Sequence, residues 1–174
     1  MEQIIRIGMD TSKSVFQLHG VNAAEQPILR KKLSRSAMVK FFEKAVPTTI
    51  AIEACGGSHH WARLLGSQGH EVKLIAPQLA KPYVKRGKND AADAAAICEA
   101  VTRPTMRFVS VKGMEQQSVL MLHRTRELLV RQRTMVINAI RAHMAEFGIV
   151  APVGVPRVKQ LLGIIADTHD VRLP

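Results

Sequence analysis

The sequence has few aromatic residues and only two cysteines, and it contains no long apolar run. Aromatic side chains make up 4% of the 174 residues, so an aliphatic core is expected and base stacking on aromatic platforms is disfavoured. Cys55 and Cys98 form no closely spaced pair, which is typical of a reducing compartment. No signal peptide opens the sequence, and no run reaches the roughly 20 apolar residues of a membrane span. We therefore expect a cytoplasmic protein with no membrane partner.

Acidic residues are also scarce relative to basic ones. Lysine and arginine number 25 against 14 aspartates and glutamates, which gives a net charge of +11 and a pI near 10.3. Such an excess predicts a polyanionic partner, and DNA or another nucleic acid is the leading candidate. Because aromatic residues are few, we expect contacts to phosphates rather than stacking on bases. The alternative is a basic protein whose charge serves solubility alone.

The first two thirds of the chain alternate between predicted strands and helices. Three β-rich segments separated by polar turns predict an antiparallel meander. A helix capped by Ser34 or Ser36 follows, and then strands and helices take turns, which is typical of an α/β fold. Strands are predicted at 4–10, 15–19, 28–33, 48–52 and 71–75, helices at 38–45, 59–67, 78–84 and 90–102, and a strand or connector at 106–111.

A long helix is predicted after this region, since residues 115–147 contain neither proline nor glycine and Gly148 suits a C-cap. Such a helix measures about 50 Å. Its apolar residues fall near one stripe without a strict heptad, so we expect a basic helix for packing or dimerising, and hence a homo-oligomer. The stripe consists of Val119, Leu122, Leu129, Val136, Ile140, Met144 and Phe147.

Four carboxylates occupy positions that suggest a common site. Asp10 lies on the first strand, Glu53 follows the fourth, and Asp90 with Asp93 opens a helix, three residues apart and so on one face. Functional groups in α/β sheets gather at the carboxyl ends of parallel strands. A ribonuclease-H-like arrangement would bring the four together, where their repulsion requires cations such as Mg2+ or Mn2+. For Asp90 and Asp93 the alternative is helix capping alone.

Three acidic blocks follow one another along the chain, and the long basic helix comes after them. The blocks are Ile7-Gly8-Met9-Asp10-Thr11-Ser12-Lys13, Ala51-Ile52-Glu53-Ala54-Cys55-Gly56 and Lys88-Asn89-Asp90-Ala91-Ala92-Asp93-Ala94. In their order and spacing they resemble the three acidic blocks of a known family, the DEDD transposases of bacterial insertion sequences that are related to the Piv invertase.

This resemblance implies a RuvC-like nuclease domain over residues 1–112, followed by the long basic helix over 113–148. It implies that Asp10, Glu53, Asp90 and Asp93 form a catalytic, metal-binding tetrad, and that an element-encoded guide RNA is a partner. The family uses a serine nucleophile in a second domain, and we expect residues 149–174, with a helical run at 158–166, to be its truncated start. The serines present are expected to serve turns and caps; they are Ser12, Ser14, Ser58, Ser110 and Ser118.

Basic side chains near the acidic blocks and on the long helix are candidates for phosphate contact. The alternative is a set of solvated surface charges. His59 and His60 are expected to start a helix rather than bind metal, since no ligand partners stand at a suitable spacing. The candidate nucleic-acid-binding residues are Lys13, Lys81, Lys85, Arg86, Lys88, Arg124 and Arg131.

Three functions from different classes fit these features. The first is DNA recombination by metal-dependent phosphodiester cleavage and strand transfer, incomplete without the serine domain. The second is a nucleic-acid-binding and dimerising fragment without catalysis. The third is an actin-like or sugar-kinase-like ATPase, which the turn over 11–14 disfavours because it lacks the glycine that phosphate loops use.

Overall fold

Six strands form one mixed sheet in the order β3-β2-β1-β4-β5-β6. The computed structural model describes residues 3–84 and 90–174, and of Asp90 it describes the backbone alone. The first three strands form an antiparallel meander, β4 and β5 continue the sheet parallel to β1, and β6 returns antiparallel to β5. The strands are β1 (Arg6–Thr11), β2 (Val15–Val21), β3 (Pro27–Ser34), β4 (Thr49–Glu53), β5 (Glu71–Ile75) and β6 (Phe108–Val109).

Helices cover both faces of this sheet, so the expected α/β, ribonuclease-H-like mixed sheet with flanking helices and a following long helix is confirmed. A 3-10 turn, Lys81–Tyr83, follows the third helix directly. The helices are α1 (Arg35–Lys44), α2 (Ser58–Ser67), α3 (Pro77–Ala80), α4 (Asp90–Ala100), α5 (Met114–Glu146) and α6 (Val155–Ala166).

Caps, turns and prolines set where the helices begin and end. Ser34 caps α1, its hydroxyl accepting a hydrogen bond from the Ala37 amide at 3.4 Å. The helix α4 ends at Ala100 rather than at residue 102, because the backbone tightens there into three-residue turns. The Thr102 amide donates to the Glu99 carbonyl and the Arg103 amide to the Ala100 carbonyl, each at 3.2 Å. The helix α6 begins three residues earlier than predicted, since Pro156 suits the first turn, where no amide hydrogen is needed.

One face of the sheet packs against α1 and α2. Alternate residues of the strands point to this face and are buried with helix side chains in one aliphatic cluster. Phe16 and Trp61 meet edge to face there, with ring centroids 5.0 Å apart. The main strand contributors are Ile7, Met9, Phe16, Leu18, Ile50, Ile52 and Leu74.

The opposite face of the sheet packs against α4. Ala51 and Ile75 of the sheet and Ile97 of α4 belong to a second buried cluster. At Gly8 of β1 the helix backbone comes so close that a Cβ atom there would lie 2.1 Å from the Ala94 carbonyl oxygen and 2.6 Å from the Cys98 amide nitrogen. A glycine inside a strand often marks such an approach, and here it lets α4 lie directly on β1.

The chain divides into two compact units, Met1–Gly113 and Met114–Pro174. In the second unit, α5 is 33 residues long and α6 packs on its C-terminal end, around Met144, Ile149 and Leu161. Gly148, two residues after the end of α5, has a positive φ of 72°, as is common for a glycine that follows a helix. No helix in the described ranges is long and apolar enough to span a membrane. A further domain boundary at residue 149 stays a prediction.

The loop between α5 and α6 is held by one arginine. The Arg141 guanidinium donates hydrogen bonds to three loop carbonyls, those of Ala151 at 2.9 Å, Pro152 at 2.8 Å and Gly154 at 2.9 Å. Most of the predicted apolar stripe on α5 is exposed within its unit, and Leu122 and Leu129 expose 72% and 59% of their surface. Packing within the second unit therefore involves only the C-terminal part of the stripe.

Candidate active site

Asp10 and Glu53 occupy matching positions on neighbouring parallel strands. Met9 of β1 pairs with Ile52 of β4, so the next residue of each strand stands at the same level. Because Met9 and Ile52 point to the α1–α2 face, strand alternation directs Asp10 and Glu53 to the α4 face. Both are half-buried. The two carboxylates therefore share one face at the carboxyl ends of their strands.

The first turn of α4 lies at the same end of the sheet. Along β1, Arg6 contacts Cys98 and Gly8 contacts Ala94, so α4 runs antiparallel to β1 and its N-terminus points towards Asp10. The four residues from Asp90 to Ala94 rise about 6 Å along the helix, at about 1.5 Å per residue. The two residues from Gly8 to Asp10 advance about 6.6 Å along the strand, at about 3.3 Å per residue. The start of α4 is therefore level with the end of β1.

Asp93 lies on the stripe of α4 that packs against β4. It is half-buried and lies one turn before Ile97, which belongs to the same buried cluster as Ala51. Ala51 precedes Glu53 by two residues on the same face of β4. Asp90 is the first residue of α4, but its side chain lies outside the described residues. Three of the four predicted carboxylates are thus placed at one end of one sheet face by three separate elements.

The donor set fits a hard divalent cation, which prefers carboxylate oxygens. Glu53 and Asp93 form no ion pair with the residues that the structure describes. Among the side chains described, no three acidic, histidine or cysteine residues are grouped closely enough to hold a metal ion. The tetrad as a metal site therefore stays a prediction.

The turn after β4 is fixed by hydrogen bonds beside Glu53. The Ala54 amide donates to the Ile75 carbonyl at 2.7 Å, and the buried Ser58 hydroxyl donates to the Cys55 carbonyl at 2.8 Å. The Cys55 Sγ lies 3.2 Å from the Thr11 Oγ1, which links the turn after β4 to the end of β1. These contacts hold the backbone on either side of the two strand carboxylates.

Arg6 fastens the opposite end of α4 to the sheet, and nothing in the sequence pattern indicated this role. Only 9% of the residue is exposed; its Nε donates to the Cys98 carbonyl at 2.9 Å, and its guanidinium pairs with Glu25. Burial opposes the charge of Arg6, but the hydrogen bonds to Glu25 and Cys98 outweigh it and raise its pKa. Burial raises the pKa of the neighbouring Cys98 thiol, because it disfavours the charged thiolate.

The predicted basic contacts are spread over both units. Lys13 is exposed in the turn after β1, Lys81 is exposed in the 3-10 turn, and Arg124 and Arg131 are exposed on α5. Arg131 pairs with Glu127 at 3.4 Å, which offsets its charge locally. Lys85, Arg86 and Lys88 lie outside the described residues.

His59 and two of the serines take structural roles. The His59 Nδ1 accepts a hydrogen bond from the Lys112 amide at 3.1 Å, and its Nε2 lies 3.2 Å from the Lys112 Nζ. Ser12 closes the turn between β1 and β2 through bonds with Val15, and Ser58 opens α2. These contacts agree with turn and helix-start roles.

Comparison with known proteins identifies a family. The family model of the DEDD transposases of the IS110 group, described as "Transposase", matches residues 7–149. The transposase y4pF/y4sB of Sinorhizobium fredii is 74% identical over 174 residues, which are 100% of this chain and 44% of that protein. The transposase for insertion sequence element IS1328 of Yersinia enterocolitica is 40% identical over 98% of this chain and 51% of that protein. The chain spans about half the length of these curated relatives.

Among solved structures, T. thermophilus RuvC in complex with a Holliday junction substrate is similar at a TM-score of 0.41 and 12% identity, over 62% of this chain and 100% of that one. This likeness is too weak to carry an argument. The fold rests on the strand order and directions described above.

Proposed function

This chain belongs to the DEDD transposase family of insertion sequences, and from that premise we propose that its first unit carries the carboxylate centre for cleaving DNA phosphodiesters. The observation that carries the proposal is the matched placement of Asp10 and Glu53, with the acidic first turn of α4 at the same end of the sheet. In our proposal Asp10, Glu53, Asp90 and Asp93 act together.

The role of the protein at this centre is to hold carboxylates in place. The strands β1 and β4 set the spacing of Asp10 and Glu53, and the contact of α4 with Gly8 sets the height of Asp93 above them. Mg2+ or Mn2+, when bound by these oxygens, would supply Lewis acidity for hydrolysis, in which water attacks the phosphorus and one ester oxygen of the DNA backbone leaves. Pre-set carboxylates reduce the reorganisation needed when substrate binds.

We propose DNA as the substrate and an element-encoded RNA as a further partner. The net charge of +11 supports a polyanionic partner, and exposed cations such as Lys13 lie beside the carboxylate end. Strand transfer also needs a nucleophile on the protein. We assign this role to none of the serines in the described ranges. The 174-residue chain tested alone should therefore not join element ends.

The experiment is cleavage of a labelled DNA carrying element ends, with Mg2+ and the element's RNA. Wild type should cut in a metal-dependent way, whereas Asp10→Asn and Asp93→Asn should lose most of the activity. Glu43→Gln serves as the control, since Glu43 is exposed on α1, on the far face of the sheet. Equal activity in all variants would refute the proposed site.

A second candidate is a fragment that binds nucleic acid and associates through α5 without catalysis. The exposed apolar side chains on α5 favour it, because Leu122 and Leu129 have no partner side chain burying them within the second unit. Nucleic-acid binding without cleavage by wild type, together with a dimer in sedimentation, would favour this candidate.

A further inference from the structure

A cationic groove lies on the α4 face of the meander, beside the carboxylate end. One wall is the α4 face of β2 and β3, where Gln17 and His19 are half-buried and Arg30 and Lys32 are exposed, and the other is the side of α4, where alanines leave room. Its volume is about 810 Å³. We name it the meander groove and define it by Gln17, His19, Arg30 and Lys32 on the sheet wall and by Ala92 and Ala95 on the helix wall.

The register of the sheet places this groove in line with the proposed centre. Asp10 pairs with Gln17, and Gln17 pairs with Lys32, so these side chains share one face at one level across three strands. At about 4.8 Å per strand, Lys32 stands roughly 10 Å from Asp10. Arg30 lies two residues before Lys32 on β3, opposite His19, and so further from Asp10. The two cations therefore form a row that leads away from the carboxylates.

The charge of this row is not balanced by the acids that line the groove. Glu25 is paired with Arg6, and Glu99 with Arg103 at 2.6 Å. Arg30 and Lys32 form no ion pair with any residue that the structure describes. Consistent with an uncompensated cation, burial and the charge of Arg30 lower the pKa of His19.

The size of the groove restricts its occupant. Its volume lies within the range of small-ligand pockets, about 300–1,000 Å³, which suits a few nucleotides of one strand. The alanine wall of α4 lets a backbone approach closely, and the cations opposite suit phosphates.

We propose that the meander groove binds the phosphate backbone of one DNA strand as it leaves the carboxylate centre. This inference rests on the proposed function, because DNA at Asp10 provides the strand that the groove extends. Lys32 contacts the phosphate nearer to the centre and Arg30 the next one along.

The test uses the 174-residue chain with Arg30→Gln and Lys32→Gln combined, and fluorescence anisotropy with a single-stranded DNA oligonucleotide across a salt series. Loss of two phosphate contacts should reduce the slope of log K against log salt by about 1.4, which is about 25-fold in affinity at roughly 0.1 M salt. The control is Lys40→Gln with Lys44→Gln, which removes the same charge from exposed positions on α1.

Four outcomes decide the matter, once circular dichroism shows that both double variants melt like wild type. A reduced slope in the groove variant alone supports the groove. Equal slopes in both variants overturn it while the proposed function stands. Absence of binding by wild type overturns the proposed function itself. A tighter complex with the matching RNA oligonucleotide, lost in the groove variant, overturns DNA as the occupant.

Discussion

Replacing Gly8 with alanine should disturb the candidate site without touching a carboxylate. The new Cβ would stand 2.1 Å from the Ala94 carbonyl oxygen and 2.7 Å from the Cys98 Cβ. Ordinary contact begins near 3.4 Å, so α4 must retreat by about 1.3 Å, the difference between 3.4 and 2.1 Å. The obstacle is helix backbone, which cannot rotate out of the way as a side chain can.

The magnitude follows from overpacking in cores, which typically costs about 1–3 kcal/mol. Because Gly8 meets backbone on a buried face, we expect the upper end, about 3 kcal/mol, and a fall in Tm on the order of 10 °C. A shift of this size also moves Asp93 away from Asp10 and Glu53. Binding constellations tolerate roughly 0.5 Å of error, so the response to Mg2+ should weaken as well.

The assay is thermal unfolding of Gly8→Ala, with and without Mg2+. The matched control is Gly66→Ala in α2, where a Cβ would meet nothing within 4 Å. Alanine there should raise stability by about 0.5–1 kcal/mol, since glycine is unfavourable inside a helix. A Gly8→Ala protein as stable as wild type would show that α4 does not lie against β1 as described.

Three further predictions concern stability. Arg6→Met should lower the free energy of unfolding, measured by denaturant titration, by about 2 kcal/mol, since a charged hydrogen bond to a buried carbonyl is lost. The control Arg103→Met breaks an exposed ion pair and should cost under about 1 kcal/mol in the same titration. The pKa of His19 is lowered in the folded protein, so the unfolded state binds more protons. The free energy of unfolding should therefore fall as the pH drops below about 6.5. It should fall less in His19→Gln, as thermal melts at a series of pH values can show. Arg141→Met should loosen the loop between α5 and α6 and cost about 2 kcal/mol, whereas Arg124→Met on exposed helix should cost little, as hydrogen exchange of the loop can show.

The positions of the strand carboxylates follow from the sequence pattern. An Ile-rich run before Asp10 and a short β-branched run before Glu53 predict two strands. The α/β order predicts that functional groups gather at the carboxyl ends of such strands. The structure adds that Met9 pairs with Ile52, so the two carboxylates are level. Register depends on how the strands pack together, which no local pattern specifies.

Other features depend on tertiary packing and were not predicted. Arg6 belongs to an apolar strand, where charge argues for exposure, yet a carbonyl and a carboxylate allow its burial. Gly8 did carry a signal, since glycine inside a strand suggests close backbone approach. The apolar stripe of α5 predicted packing, but α6 is short and covers only one end, so Leu122 is exposed.

We propose that Asp10, Glu53 and Asp93 act as one cation-binding centre. Its most direct test is the increase in thermal stability on adding Mg2+, compared between wild type, Asp10→Asn, Glu53→Gln, Asp93→Asn and the control Glu43→Gln. A ligand at 100 times its Kd stabilises the folded state by about 2.7 kcal/mol. We expect wild type and the control to show this increment and each carboxylate variant to lose most of it. An increment that is the same in all five proteins would show that these three carboxylates do not share a bound cation.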